Sequence, residues 1–269
     1  MYGVTYSKDT NTLTLDKHDC GLLSNASVIF KSLLSIHENS VSIVNVYWPP
    51  KSIWNKPDRL NRNVYDLYFK CIGMPIQIQK NVYFNCMIGD CGKFNFSDLK
   101  IIRDAYFNLS DAVIEKQNFF LNKYSIDFEN TIGILYRGTD KIVEVPKVDP
   151  RYYLKNLDVI KDLSKYRMLV QTDQQQVLEY FKQHKCFNIE EMPLTQVNKA
   201  IHFLPESEKG MNNYELGINY LAVVSILSRC KYVVFDTNNA GLWICILRGS
   251  LHNTCQIYAT FSSFNKFEG

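Results

Sequence analysis

The chain has 269 residues, of which 46% are hydrophobic and 21% charged, with a net charge of +3. That length admits one large domain or two small ones, and that balance excludes a disordered chain. A charge so close to neutrality, with no run of Lys or Arg, argues against a nucleic-acid partner. Taken in order, Thr12–Leu15 alternate like a short strand, and residues 17–21 read as a turn. The segment from Ser24 to Asn39 then reads as a helix with Ser24 or Asn25 as its cap, because Val28, Ile29, Leu33 and Ile36 recur at helical spacing. Val41–Tyr47 is an apolar, β-branched run that predicts a buried strand. A polar stretch with Pro49, Pro50 and Pro57 follows. Residues 74–79 and 81–85 look β-like, and 97–124 read as one long helix that closes a first domain, 1–125.

The second half, 126–269, is more regular. Buried strands are predicted at 131–137, 166–173 and 232–235, with short strands at 188–192 and 199–203. Helices are predicted at 150–163, from Gln175 to His184, at 213–229 and at 241–247. Strand and helix alternate, so the fold class is α/β with parallel sheets.

No apolar stretch of about 18 residues occurs, so no membrane span is expected. The first residues lack the basic, apolar, small-residue order of a signal peptide, and a cytoplasmic location follows as the expectation. The eight cysteines are scattered, and only Cys86 and Cys91 are close. No histidine pair stands near them at zinc spacing, so they read as reduced thiols and no metal is expected. Sequons at Asn25, Asn95 and Asn108 carry no meaning without a secretory route.

Ligands of open α/β sheets bind at the carboxyl ends of the strands. Three polar clusters follow apolar strands directly: Arg137-Gly138-Thr139-Asp140-Lys141, Thr172-Asp173 and 236–241. Arg137 would start from a rigid strand end, and its planar fork suits a phosphate; an ordinary Arg–Asp loop pair is the even alternative. Asn238 and Asn239 stand where a helix begins, and N–H groups there suit an anion, although a plain helix cap reads the same way. Thr172-Asp173 serve either as a cap or as a site acid. In the first half, Gly21 leads into a helix start. His18 is either a structural turn residue or a catalytic one. Trp48 and Trp54 either stack on a sugar or cover a core edge.

These pieces in this order resemble the fucosyltransferase superfamily that includes bacterial nodulation and core α-1,6-fucosyltransferases. The segment 133–145 is similar to that family's glycine, apolar strand and Arg-x-Thr-Asp-Lys followed by Glu. The segments 169–181, 201–203, 227–239 and, more loosely, 20–36 with 46–48 and 63–69 support it. The resemblance implies a GT-B-like arrangement of two Rossmann-type domains, an acceptor-side domain 1–125 and a donor domain 126–269. It implies inverting transfer of L-fucose from GDP-fucose to a glycan acceptor hydroxyl, with neither metal nor cofactor. It carries Arg137 over as the β-phosphate ligand and Glu144 as the general base. Asp140 and Lys141 would order their loop, and Gly21, Thr172, Asp173, His202, Asn238 and Asn239 would complete the donor site. The chain departs from the family pattern at Leu135, Gly138 and Val223, which leaves guanine reading to His202 or Glu215. A catalytically inactive nucleotide- or sugar-binding relative, or a transferase using another nucleotide sugar, is the alternative.

Overall fold

Four parallel strands in the second half form most of the main sheet, and three of them carry the candidate site on their carboxyl ends. In the computed structural model, residues 3–16, 20–58, 62–79, 82, 84, 91–139, 148–197, 199–257 and 263–265 are described. The chain opens with a hairpin, β1 (Val4–Ser7) antiparallel to β2 (Thr12–Leu15). Helix α1 (Leu22–His37) follows, and then β3 (Asn45–Tyr47), parallel to β2. The strand predicted from Val41 shrinks to three residues because pairing begins only where Asn45 meets Thr12. Val41 and Ile43, ahead of that point, are exposed.

A short helix α2 (Tyr65–Tyr68) leads into β4 (Phe69–Lys70). The single helix expected over 97–124 is divided into α3 (Phe96–Tyr106) and α4 (Asp111–Lys123). Between them β5 (Asn108–Leu109) pairs antiparallel with β4, Phe107 drops into the core, and the Ser110 hydroxyl donates to the Leu67 carbonyl. Pairing with a distant strand outweighs local helical periodicity at this point.

The main sheet holds β6 (Thr131–Tyr136), β7 (Arg167–Thr172), β8 (Tyr232–Asp236), β9 (Thr254–Ile257) and β10 (Ser263–Asn265) in the order β10-β9-β8-β6-β7. All pairs are parallel except β9 with β10. The connecting helices are α5 (Arg151–Lys155), α6 (Gln175–Lys182), α7 (Glu206–Lys209), α8 (Asn213–Arg229) and α9 (Asn239–Arg248). The helix expected over 150–163 stops at Lys155, although Tyr153, Leu157 and Ile160 keep their helix-like burial through the turns beyond. The strands expected at 188–192 and 199–203 do not form. Phe187 forms an isolated bridge with Leu169 of β7, Thr195 forms one with Gln174 just beyond it, and Ile201–Phe203 coil into a 3-10 turn.

The sheet buries both faces. Ile132, Ile134 and Tyr136 of β6 pack with Tyr153, Val170, Phe181 and Val234 on one side. Leu135, Leu169, Val233 and Phe235 face α8 and α9 on the other, in a core shared with α1, α3 and α4. Alternation along β6 therefore turns Arg137 toward α8, the side shared with the first half of the chain. Trp48 lies wholly within that core, which assigns it to packing. Five of the described cysteines (Cys91, Cys186, Cys230, Cys245 and Cys255) are buried thiols. Among the described residues no helix is long and apolar enough to cross a membrane.

Candidate active site

A cavity of about 350 Å³ opens at the carboxyl ends of β6, β7 and β8. Its walls come from both halves of the chain. The first half gives the N-terminus of α1 and Trp54; the second gives the strand ends, the 192–203 segment, α8 and the N-terminus of α9. Gly21, Arg137, Thr172, Asp173, His202, Asn238 and Asn239, all expected from the sequence, line this one space. Asp140, Lys141 and Glu144 lie outside the described residues, as does His18.

Helix α1 starts at Leu22 rather than beyond Ser24. Gly21 occupies its N-cap, and no side chain caps it. The first-turn N–H groups at Leu22–Ser24 have no intrahelical acceptors, and they stand at the cavity wall. Ser24, expected as a cap, instead accepts the Asn239 amide at 2.8 Å. Across the cavity, Asn238 caps α9 by accepting from the Gly241 N–H at 2.9 Å. Gly241 is required there, since a Cβ would lie 2.3 Å from the Phe235 ring and 3.0 Å from the Asp236 carbonyl. Two helix N-termini, each an anion-favouring end, therefore border the same space.

Their spacing is held by buried polar contacts. Asn239 reaches Ser24 and also accepts from the Ser27 hydroxyl at 3.4 Å. The indole N–H of Trp243 donates to Ser27 at 2.9 Å and to the Leu23 carbonyl at 3.2 Å.

Arg137 leaves β6 into the cavity wall with its side chain 21% exposed. Its Nε pairs with Asp173 Oδ2 at 3.0 Å, and Nη1 donates to the Tyr220 hydroxyl at 3.0 Å. Asp173 also accepts from the Gly138 N–H at 3.0 Å and the Thr139 hydroxyl at 2.8 Å. Asp173 thus gathers the Arg-Gly-Thr loop instead of capping α6, whose N-cap residue, Gln174, makes no side-chain capping bond and donates instead to the Gly138 carbonyl at 2.8 Å. Gly138 is enclosed by Gln174, so an added Cβ would lie 2.4 Å from its Oε1.

Asp236, at the end of β8, was not singled out by sequence. Its carboxylate accepts from the Arg137 N–H at 3.3 Å and from the Asn238 amide. Burial pushes its carboxyl up to about 7, with Asp173 adding to the effect and Arg137 opposing it. Between about pH 4 and that value the folded chain holds a proton that the unfolded chain has released. Stability therefore falls as pH rises through this window. Asp236→Asn is expected to flatten that fall, read as the difference in Tm between pH 4.5 and 7.5. An unchanged slope places the proton elsewhere.

The remaining wall is largely apolar and aromatic. His202 packs on Trp54 with ring centroids 5.5 Å apart, a contact between the two halves. The His202 carbonyl accepts from Asn213, whose own Oδ1 takes the buried Lys209 ammonium at 2.6 Å. Sequence reading missed Tyr220, Gln171 and Met192 as cavity residues. Tyr220 sits in an apolar helix, and nothing local distinguishes it from core.

No family model and no curated protein sequence matches the chain. Solved structures do, at low identity. A crystal structure of NodZ alpha-1,6-fucosyltransferase soaked with GDP-fucose matches with a TM-score of 0.57 at 12% identity, over 89% of this chain and 92% of that one. A crystal structure of fucosyltransferase NodZ from Bradyrhizobium matches with a TM-score of 0.56 at 11% identity, over 93% and 96%. The fold is fucosyltransferase-like, in the GT-B class.

Within this fucosyltransferase-like fold the departures from the family pattern take definite places. Leu135 lines the cavity, and Val223 is wholly buried in α8. Glu215, expected as a possible base reader, closes a capping box with Asn212 at the start of α8, and only His202 of that pair lines the cavity.

Proposed function

We propose that this chain is an inverting glycosyltransferase that moves L-fucose from GDP-fucose to a hydroxyl of a glycan acceptor. The observation that carries the reading is the convergence of Arg137 and two helix N-termini on one cavity at the carboxyl ends of a parallel sheet. The fold likeness to a fucosyltransferase soaked with GDP-fucose supports it. In this reading residues 126–269 bind most of the donor, 1–125 face the acceptor, and the N-terminus of α1 reaches the diphosphate from the first half.

The bond from the anomeric carbon to the β-phosphate oxygen breaks as the acceptor oxygen bonds to the opposite face. Positive charge grows on the sugar ring, and negative charge grows on the departing diphosphate. Arg137 and the N–H groups of α1 and α9 offset the latter, and fixed donors of this kind are worth several kcal/mol. Glu144, by its place in the sequence motif, is the carboxylate assigned to accept the hydroxyl proton. His202, backed by the buried Trp54, and Phe203 offer the flat surfaces against which a base stacks.

The test is the release of GDP from GDP-fucose, with calorimetry against GDP, UDP and CMP to identify the base. GDP binding with slow donor hydrolysis is the expected result. Glu144→Gln should keep GDP affinity while transfer falls about 100-fold or more; normal transfer in that variant places the base elsewhere. The pairing of Arg137 with Asp173 favours one second reading, a nucleotide-binding relative without turnover, for which GDP would bind and GDP-fucose would stay intact.

A further inference from the structure

Asp236 lies behind the cavity rather than in its wall, and it touches both polypeptide turns that would face a diphosphate. One oxygen holds the Arg137 N–H at 3.3 Å, and the other holds the Asn238 amide at the cap of α9. The Tyr153 hydroxyl also stands beside this carboxyl, and all three neighbours are neutral groups. Asp173 differs, because it pairs with the Arg137 guanidinium and accepts two further donors. The titratable and charged groups facing Asp236 are Arg137 beyond β6, Asp173 beyond β7, Tyr136 on β6 and Tyr153 on α5. One guanidinium thus serves two carboxylates before any ligand arrives.

We propose that Asp236 is a positioning residue that takes up a proton when a nucleoside diphosphate enters the cavity. The inference rests on the donor-site reading above and deepens it. A diphosphate brings at least two negative charges to the cation that Asp173 already shares. Adding them beside a buried carboxylate disfavours its ionised form. A proton from the buffer converts one Asp236 oxygen to a hydroxyl, whose O–H turns to the neighbouring Tyr153 oxygen, while the other oxygen goes on accepting from its turn. The site then carries no third negative charge behind the anion-facing turns, at the cost of weakening one of the two turn contacts. Burial has already brought this carboxyl to about 7, so a modest further rise moves it through the neutral range.

The experiment is titration calorimetry of GDP into the full chain at pH 7.5, in buffers of different ionisation enthalpy. A rise of about one unit on binding gives uptake of roughly half a proton per GDP. Asp236→Asn should bind GDP with uptake near zero; the ionisation of GDP itself is common to both proteins. Equal uptake in the two proteins overturns the proposal and points to another group, such as His202. No uptake in the native chain also overturns it. Absence of GDP binding sinks the donor-site reading as well, so the two failures are told apart. Should Asp236→Asn not fold, the infrared carboxylic-acid C=O stretch of the native chain decides instead. It should grow on adding GDP, and no growth overturns the proposal.

Discussion

Arg137→Ala should lower GDP release from GDP-fucose by about two orders of magnitude or more, the scale on which one transition-state donor is lost. The guanidinium is mostly buried and held from two sides, by Asp173 and by Tyr220, so it meets a ligand already oriented. Its pairing with Asp173 gives the substitution a second consequence. The carboxylate is left buried with the Gly138 N–H and Thr139 hydroxyl but without its cation. Removing one partner of such a buried pair costs about 3–5 kcal/mol in the severe cases. Thermal melts must therefore accompany the kinetics. Arg137→Lys separates the two effects: it restores a charge near Asp173 but lacks the planar fork, so stability should recover more than turnover. Near-native turnover in a folded Arg137→Ala protein removes this residue from the chemistry.

Trp243→Ala should cost about 3–5 kcal/mol of stability, among the largest effects of any single change in this chain. The indole is wholly buried and packs against Phe30, Phe69 and Phe107 at centroid distances of 5.1–5.9 Å. Its N–H also ties α9 to α1 through Ser27 and the Leu23 carbonyl. Trp243→Phe keeps most of the packing and loses that bond, for about 1–3 kcal/mol. Chemical denaturation measures both. Because the tie sets the spacing of the two helix N-termini, GDP affinity should fall in the Phe variant even where the protein remains folded. A Trp243→Ala loss under about 1 kcal/mol contradicts the packing described here.

Strands β6, β7 and β8 of the second half were legible because their signals are local and strong. Unbroken apolar runs at 132–136 and 232–235 form strands buried on both faces, and each leads into a polar cluster that the sheet places at the cavity. The first half was less legible for a physical reason. The pairing of Phe69–Lys70 with Asn108–Leu109 joins residues far apart in sequence, and periodicity alone continued one helix straight through it. Asp236 stood in the 236–241 cluster without a role of its own, because its importance lies in burial and in the neighbours that tertiary packing supplies. The tie from Asn239 to Ser24 likewise spans 215 positions, and no local pattern reports it.

The most direct measurement is a crystal structure of the chain soaked with GDP. The expected density places the β-phosphate within hydrogen-bond distance of the Arg137 guanidinium, between the first turns of α1 and α9. A diphosphate bound anywhere else, or a cavity that stays without nucleotide at saturating GDP, contradicts the account.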